Sequence, residues 1–177
     1  SLDYPNTEVL NAMSKLLTQN FVENDYNYLQ EDLRYSLQER DNEGLKDVFN
    51  TLLASIPYDD YKSAAKQGIQ LQHLKIPVQE WLYRTSILAF LRGCGIIVEA
   101  ELHTFKGRPD LVISYRDTIF IIENKVAGKS EEVQAKLTEA ETQIREKEYI
   151  KPYPNAICLA MVIDDTQRQI VRCEEVK

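Results

Sequence analysis

The sequence predicts an α/β protein: a mixed central β-sheet flanked by helices, with a helical extension at its N-terminal end. Three observations predict it. Residues 1–75 space their apolar side chains at helical intervals. Two short apolar runs, Leu111-Val112-Ile113 and Ile119-Phe120-Ile121-Ile122, flank the turn-like Tyr115-Arg116-Asp117-Thr118, which reads as a hairpin. A charged amphipathic helix over 130 to about 149 then leads into a continuous apolar run from Ala156 to Ile163. A strand reached through a helical crossover lies parallel to one before it, and that makes the sheet mixed.

The elements follow in order. Asn6-Thr7 ahead of Glu8-Val9-Leu10 is a capping signal, and Val9, Met13, Leu16 and Leu17 share one face. A second helix is expected from about Val22 to Glu39, with a break near Asp25. A third runs from Asn42 to Ser55 on a stripe of Leu45, Val48, Phe49 and Leu52, and Ile56-Pro57-Tyr58 stops it. Residues 58–75 are less clear, and Gly68 is their weakest point for helix. At residue 76 the pattern changes. Pro77 suits the first turn of a helix to about Leu91, which Gly93-Cys94-Gly95 ends. Ile96 to His103 reads as a strand, and the hairpin follows. The crossover helix turns Val133, Leu137, Ala140 and Ile144 inward, and Pro152 and Pro154 terminate it. Ala156–Ile163 suits a strand buried on both faces. Asp164 to Gln167 forms a turn, and Gln169 to Cys173 alternates as an edge strand. The expected division is 1–75 as a helical extension packing on the core and 76–177 as the core.

Composition bounds the function classes. The 177 residues suffice for a substantial core without covalent staples. No apolar run reaches the length of a membrane span, and no signal peptide opens the chain. Cys94, Cys158 and Cys173 are odd in number and widely spaced, so they read as reduced thiols of a cytoplasmic protein. The net charge of −7 argues against a general nucleic-acid coat. The charge is uneven: residues 1–75 hold 7 Lys/Arg against 12 Asp/Glu, and residues 76–177 hold 14 against 16. Lys106, Arg108, Lys125, Lys129, Arg145 and Lys147 cluster around the hairpin, so a nucleic-acid partner stays open.

The chemistry gathers at the hairpin. Gly107-Arg108-Pro109-Asp110 opens its first strand, and Ile122-Glu123-Asn124-Lys125 closes its second. Alternation puts Glu123 and Lys125 on one face and Asn124 on the other. Asp110 and Glu123 can supply the one or two carboxylates that an oxygen-ligated Mg²⁺ needs. Lys125 can orient or deprotonate a water and offset phosphate charge. An ordinary surface hairpin with charged ends accounts for Asp110 alone, but less well for Glu123, because four apolar residues run straight into it. His73 and His103 lack partners at ligand spacing and read as surface residues. Tyr26, Tyr28, Tyr58 and Tyr61 read as packing before any base-stacking platform.

Taken together, Gly-Arg-Pro-Asp-Leu-Val-Ile at 107–113 and Ile-Ile-Glu-Asn-Lys at 121–125 resemble the PD-(D/E)XK nuclease superfamily. Glu80-Trp81-Leu82-Tyr83-Arg84 resembles the acidic helix that precedes the core in those enzymes. Glu141 to Tyr149 resembles the Gln-Ile-x-x-Lys-x-Tyr helix of one bacterial branch, in which the nuclease-like domain follows an AAA-ATPase-like domain. Tyr4-Pro5-Asn6-Thr7-Glu8-Val9 resembles the segment that follows the ATPase in that branch, so Ser1 is expected to open a fragment of a longer protein. The resemblance implies a restriction-endonuclease-like core. It implies Asp110, Glu123 and Glu80 as ligands of Mg²⁺ or Mn²⁺, Lys125 as the catalytic lysine, and Glu80 and Gln143 as supporting catalytic groups. Lys147 lies one turn on from Gln143, and Tyr149 is a further member. The implied partners are nucleic acid, DNA before RNA, and an AAA-ATPase-like domain of the same protein; no membrane is implied.

Asn124 stands where related sequences place an apolar residue, Arg84 stands where relatives of the branch carry His, and the segment 127–137 is polar. For Glu80 the competing reading is a solvated carboxylate paired with Arg84 at i,i+4, and for Gln143 and Lys147 a solvated helix face. Two rival functions stay in view: a catalytically silent nuclease-fold module that docks a partner through its acidic front half, and a metal-dependent hydrolase of small phosphates.

Overall fold

The computed structural model describes residues 23–56, 58, 78–100, 109–146 and 151–177. The described elements are α1 (Glu23–Glu39), α2 (Asn42–Ala54), α3 (Val78–Gly93), β1 (Ile97–Ala100), β2 (Leu111–Tyr115), β3 (Thr118–Ala127), a 3₁₀ turn (Ser130–Glu132), α4 (Val133–Glu146), β4 (Ile157–Asp164) and β5 (Gln169–Glu175). The five strands form one sheet in the order β1-β2-β3-β4-β5. The pairs β1/β2, β2/β3 and β4/β5 are antiparallel, and β3/β4 is parallel. The sheet is therefore mixed and flanked by helices, the α/β architecture the sequence predicts. Among the described residues no helix is long and apolar enough to cross a membrane.

Alternation along the two central strands decides which helix covers which face. Phe120 and Ile122 of β3, with Leu159, Met161 and Ile163 of β4, join the cluster that α1, α2 and α3 cover. Ile121 and Ala127 of β3, with Cys158, Ala160 and Val162 of β4, meet Leu137, Ala140 and Ile144 of α4. Both faces of β4 are thus buried, which is why its sequence is apolar without interruption. Each fully buried Phe, Leu or Ile contributes roughly 1.5–3 kcal/mol through removal of its surface from water. Leu33, Leu37, Leu45, Phe49, Leu52 and Leu53 of α1 and α2 enter the same cluster as α3 and the sheet. Asn50 of α2 also clamps β5: its Nδ2 donates to the Ile170 carbonyl at 3.0 Å, and its Oδ1 accepts from the Ile170 N–H at 2.7 Å.

The ends of the helices follow local chemistry. Asp41 caps α2, its Oδ1 accepting from the Gly44 N–H at 2.9 Å. At the end of α3 the Gly95 N–H donates to the Arg92 carbonyl and the Ile96 N–H to the Leu91 carbonyl. That is a Schellman closure, with Gly95 at φ 73°. A Cβ at residue 95 meets nothing within 4 Å, so the glycine is required by the backbone alone. Gly95→Ala is expected to cost about 1 kcal/mol, the ordinary penalty of a left-handed L-residue, in urea unfolding. No loss of stability would show that α3 ends without needing this turn.

Asp164, at the end of β4, is fully buried. Its oxygens accept from Ser130 Oγ at 2.7 Å, from the Thr166 N–H at 2.9 Å and hydroxyl at 2.5 Å, and from Gln167 Nε2 at 2.9 Å. The carboxylate thereby ties the entry of the crossover helix to the strand that the helix reaches. The hydrogen bonds from Thr166 and Ser130 hold its carboxyl well below the usual range, against the opposing effect of burial. A depressed carboxylate stabilises the fold above its ordinary pKa, and that stability is lost as pH falls toward the folded value. Asp164→Asn is therefore expected to flatten the acid limb of a urea-midpoint profile below about pH 4. Acid limbs of equal slope in variant and wild type would contradict it.

Some expectations shift in detail. α1 runs through Asp25 without the expected break. β1 is described only from Ile97 to Ala100, and the rest of the expected strand to His103 lies outside the described residues. α4 starts through a 3₁₀ turn, and Val133 is half-buried. Asp164 closes a strand where a turn was expected. The three cysteines are free and buried. Burial pushes the Cys94 thiol up to about 11 and the Cys173 thiol up to about 12. The helix of Val9, Met13, Leu16 and Leu17, the segment 59–75 with Tyr61 and His73, and His103, Lys106, Arg108, Lys147 and Tyr149 all lie outside the described residues.

Candidate active site

The hairpin of β2 and β3 sets the frame. Its register pairs Leu111 with Ile122. Asp110 lies just before the first residue of that ladder, and Glu123 just after its partner on β3. The approach is anchored by the Asn124 N–H, which donates to Asp110 Oδ2 at 2.8 Å. β3 is longer than the sequence suggests and runs past the Glu-Asn-Lys to Ala127: its residues 118–122 pair with β2, and 120–127, Glu123 included, pair with β4. Glu123 therefore sits inside the sheet, 1% exposed, rather than at a solvated end.

The two faces separate as alternation requires. Lys125 Nζ lies 3.4 Å from Glu123 Oε1. It also lies 3.6 Å from Glu139 Oε1 on α4. Asn124 turns the other way and is 2% exposed. Its side-chain amide has no hydrogen-bond partner among the described residues. A buried amide left without a partner costs roughly 1–3 kcal/mol.

Glu80 and Arg84 come from α3. Arg84 Nη2 lies 2.7 Å from Glu80 Oε1 and 2.7 Å from Asp110 Oδ1. The side chains are 7% exposed for Arg84, 18% for Glu80 and 10% for Asp110. The i,i+4 pair of Glu80 with Arg84 forms, but it is not the solvated surface pair that the sequence offers as the competing reading. One guanidinium nitrogen bridges two sheltered carboxylates instead. Burial raises the Glu80 carboxyl above its ordinary value, and Arg84 opposes that rise. The charges of Asp110, Lys125 and Lys136 are also felt at Glu80. Glu80, Asp110 and the Lys125 region thus share one electrostatic neighbourhood.

α4 supplies the outer wall. Glu139 accepts from Lys136 at 2.9 Å. Burial works to raise its carboxyl, but the Lys136 hydrogen bond and the Lys125 charge bring it below its ordinary value. Gln143 is one turn on from Glu139, half-buried, beside Thr142 and Glu146. Sequence reasoning reached Gln143 but missed Glu139 and Lys136. Their signal was available: counting back along the Gln143 stripe by four and seven residues reaches both.

The donor set suits a small hard cation. Asp110, just before β2, and Glu123, on β3, are oxygen donors sheltered from solvent, and Mg²⁺ is held by one or two carboxylates with water and phosphate completing its shell. Among the described residues no three His, Cys, Asp or Glu side chains converge as a protein cage. A family model described as PD-(D/E)XK nuclease superfamily matches residues 78–173, from the start of α3 into β5. No curated protein and no solved structure matches the chain significantly.

Proposed function

Because the chain belongs to the PD-(D/E)XK nuclease superfamily, we propose that it is a metal-dependent nuclease hydrolysing phosphodiester bonds in nucleic acid, DNA before RNA. The observation that supports the reading is Asp110 held by the Asn124 N–H, between a Glu123 and a Lys125 that pair with each other, inside the matched segment. Enzymes of this superfamily typically use divalent metals. Asp110 and Glu123 would hold Mg²⁺ or Mn²⁺, whose chemistry there is neutralisation of phosphate charge and activation of water. Lys125 offers an ammonium to the phosphate oxygens and orients a water, its Nζ steadied by Glu123 and Glu139. Glu80 serves as an accessory acid, and Gln143 borders the site from α4. An AAA-ATPase-like domain of the same protein, a cytoplasmic setting, and residues 1–75 as an extension on a core of 76–177 belong to the same proposal.

Incubating the protein with single- and double-stranded DNA and RNA, with Mg²⁺, Mn²⁺ or EDTA, tests the reading. Cleavage is expected with either metal, none in EDTA, and at least a thousandfold less with Glu123→Gln. Cleavage that persists in EDTA or in Glu123→Gln would sink it. The bridge from Arg84 to Glu80 and Asp110 favours one second reading, a silent module acting through protein contacts. That reading predicts no cleavage under any of these conditions.

A further inference from the structure

The proposed chemistry makes no use of Arg84, yet Arg84 occupies the centre of the acidic group. One of its nitrogens lies 2.7 Å from Glu80 and 2.7 Å from Asp110. The other oxygen of Asp110 accepts the Asn124 N–H at 2.8 Å. Both oxygens of Asp110 are thus engaged by protein donors before any cation arrives. A guanidinium keeps its charge at every pH a protein survives, so it cannot leave by losing a proton. It has to be pushed aside or tolerated as a like charge. From these contacts we infer that Arg84 is a built-in competitor for the divalent cation. It weakens metal binding in the free protein, so that the metal loads together with nucleic acid, whose phosphate brings the missing ligands and negative charge. This inference rests on the metal-dependent reading above. Arg84 acts through Asp110 and Glu80 and is a positioning residue, not a catalytic one.

The test is Mn²⁺ binding by calorimetry, without nucleic acid, to wild type, Arg84→Gln and Arg84→Lys. Arg84→Gln is expected to bind Mn²⁺ on the order of tenfold tighter, since removing a unit positive charge from beside the carboxylates lifts a repulsion of about that order even at the dielectric of water. Arg84→Lys keeps the charge and is expected to bind like wild type. A residue that merely held Asp110 in place gives the opposite result, weaker binding in Arg84→Gln. Binding that is unchanged or weaker in Arg84→Gln overturns the inference and leaves the metal site standing. Absence of binding at millimolar Mn²⁺ in all three proteins overturns the inference, while the metal-dependent reading falls only if cleavage persists in EDTA or in Glu123→Gln. A second measurement needs no variant: the Arg84 guanidinium NMR signals of wild type are expected to move as Mg²⁺ saturates the site. Signals that stay in place at saturation also overturn the inference.

Discussion

Replacing Asp110 by alanine is expected to lower the unfolding free energy by about 3 kcal/mol, apart from any effect on cleavage, because it strands a buried guanidinium. Arg84 is 7% exposed on its side chain and has Asp110 Oδ1 at 2.7 Å. The same change leaves the Asn124 N–H without the oxygen that accepts it. Glu80 stays on the guanidinium, which sets the expectation at the lower end of the range for broken buried pairs. Asp110→Asn keeps an acceptor for the Asn124 N–H and removes only the charge, so it is expected to cost less. Urea unfolding followed by circular dichroism measures both. In the double variant Asp110→Ala/Arg84→Met the stranded charge is gone, and most of the lost stability is expected to return. A loss under about 1 kcal/mol in Asp110→Ala would mean that the bridge contributes little, as at an exposed pair.

This triad shows where the sequence was legible and where it was not. Period-two alternation is a local property, so the sequence alone assigns Glu123 and Lys125 to one face and Asn124 to the other. The uninterrupted apolar run at Ala156–Ile163 likewise identified a strand covered on both sides, and β4 is buried across nearly all its length. The i,i+4 spacing of Glu80 and Arg84 was equally readable. What spacing could not supply is the height and angle at which α3 lies against the sheet. That angle decides that Arg84 meets Asp110, a residue on a different element and far along the chain. Asp164 was opaque for the same reason. In sequence it is one more polar residue before a turn, and only the crossover brings Ser130 to it. Glu139 is a third case: its pairing with Lys125 depends on how α4 crosses β3. Local periodicity thus accounts for elements and faces, while pairings between elements decide the electrostatics of the site.

Lys125→Ala is expected to reduce the rate of metal-dependent cleavage by about 10²- to 10⁴-fold, the range typical of a positioned acid–base or charge-donating group. The side chain is 15% exposed, held between Glu123 and Glu139. That clamp keeps an ammonium beside the carboxylates instead of letting a long flexible chain wander into solvent. Mn²⁺ binding distinguishes loss of chemistry from loss of the site. Removing a cation from beside Glu123 strips away a competitor for that carboxylate, so the affinity of Lys125→Ala for Mn²⁺ is expected to stay level or tighten while turnover collapses. Lys125→Arg keeps the charge but spreads it over a planar fork that a two-carboxylate clamp built around a point charge accommodates poorly, so it is expected to recover only part of the rate. Glu139→Gln frees Lys125 from its outer anchor and is expected to cost less than tenfold, since Glu123 still holds Nζ from the strand. Turnover of Lys125→Ala within tenfold of wild type would remove Lys125 from the reaction. The lysine would then be a counter-ion for a buried glutamate, and the chemistry would rest on the two carboxylates alone.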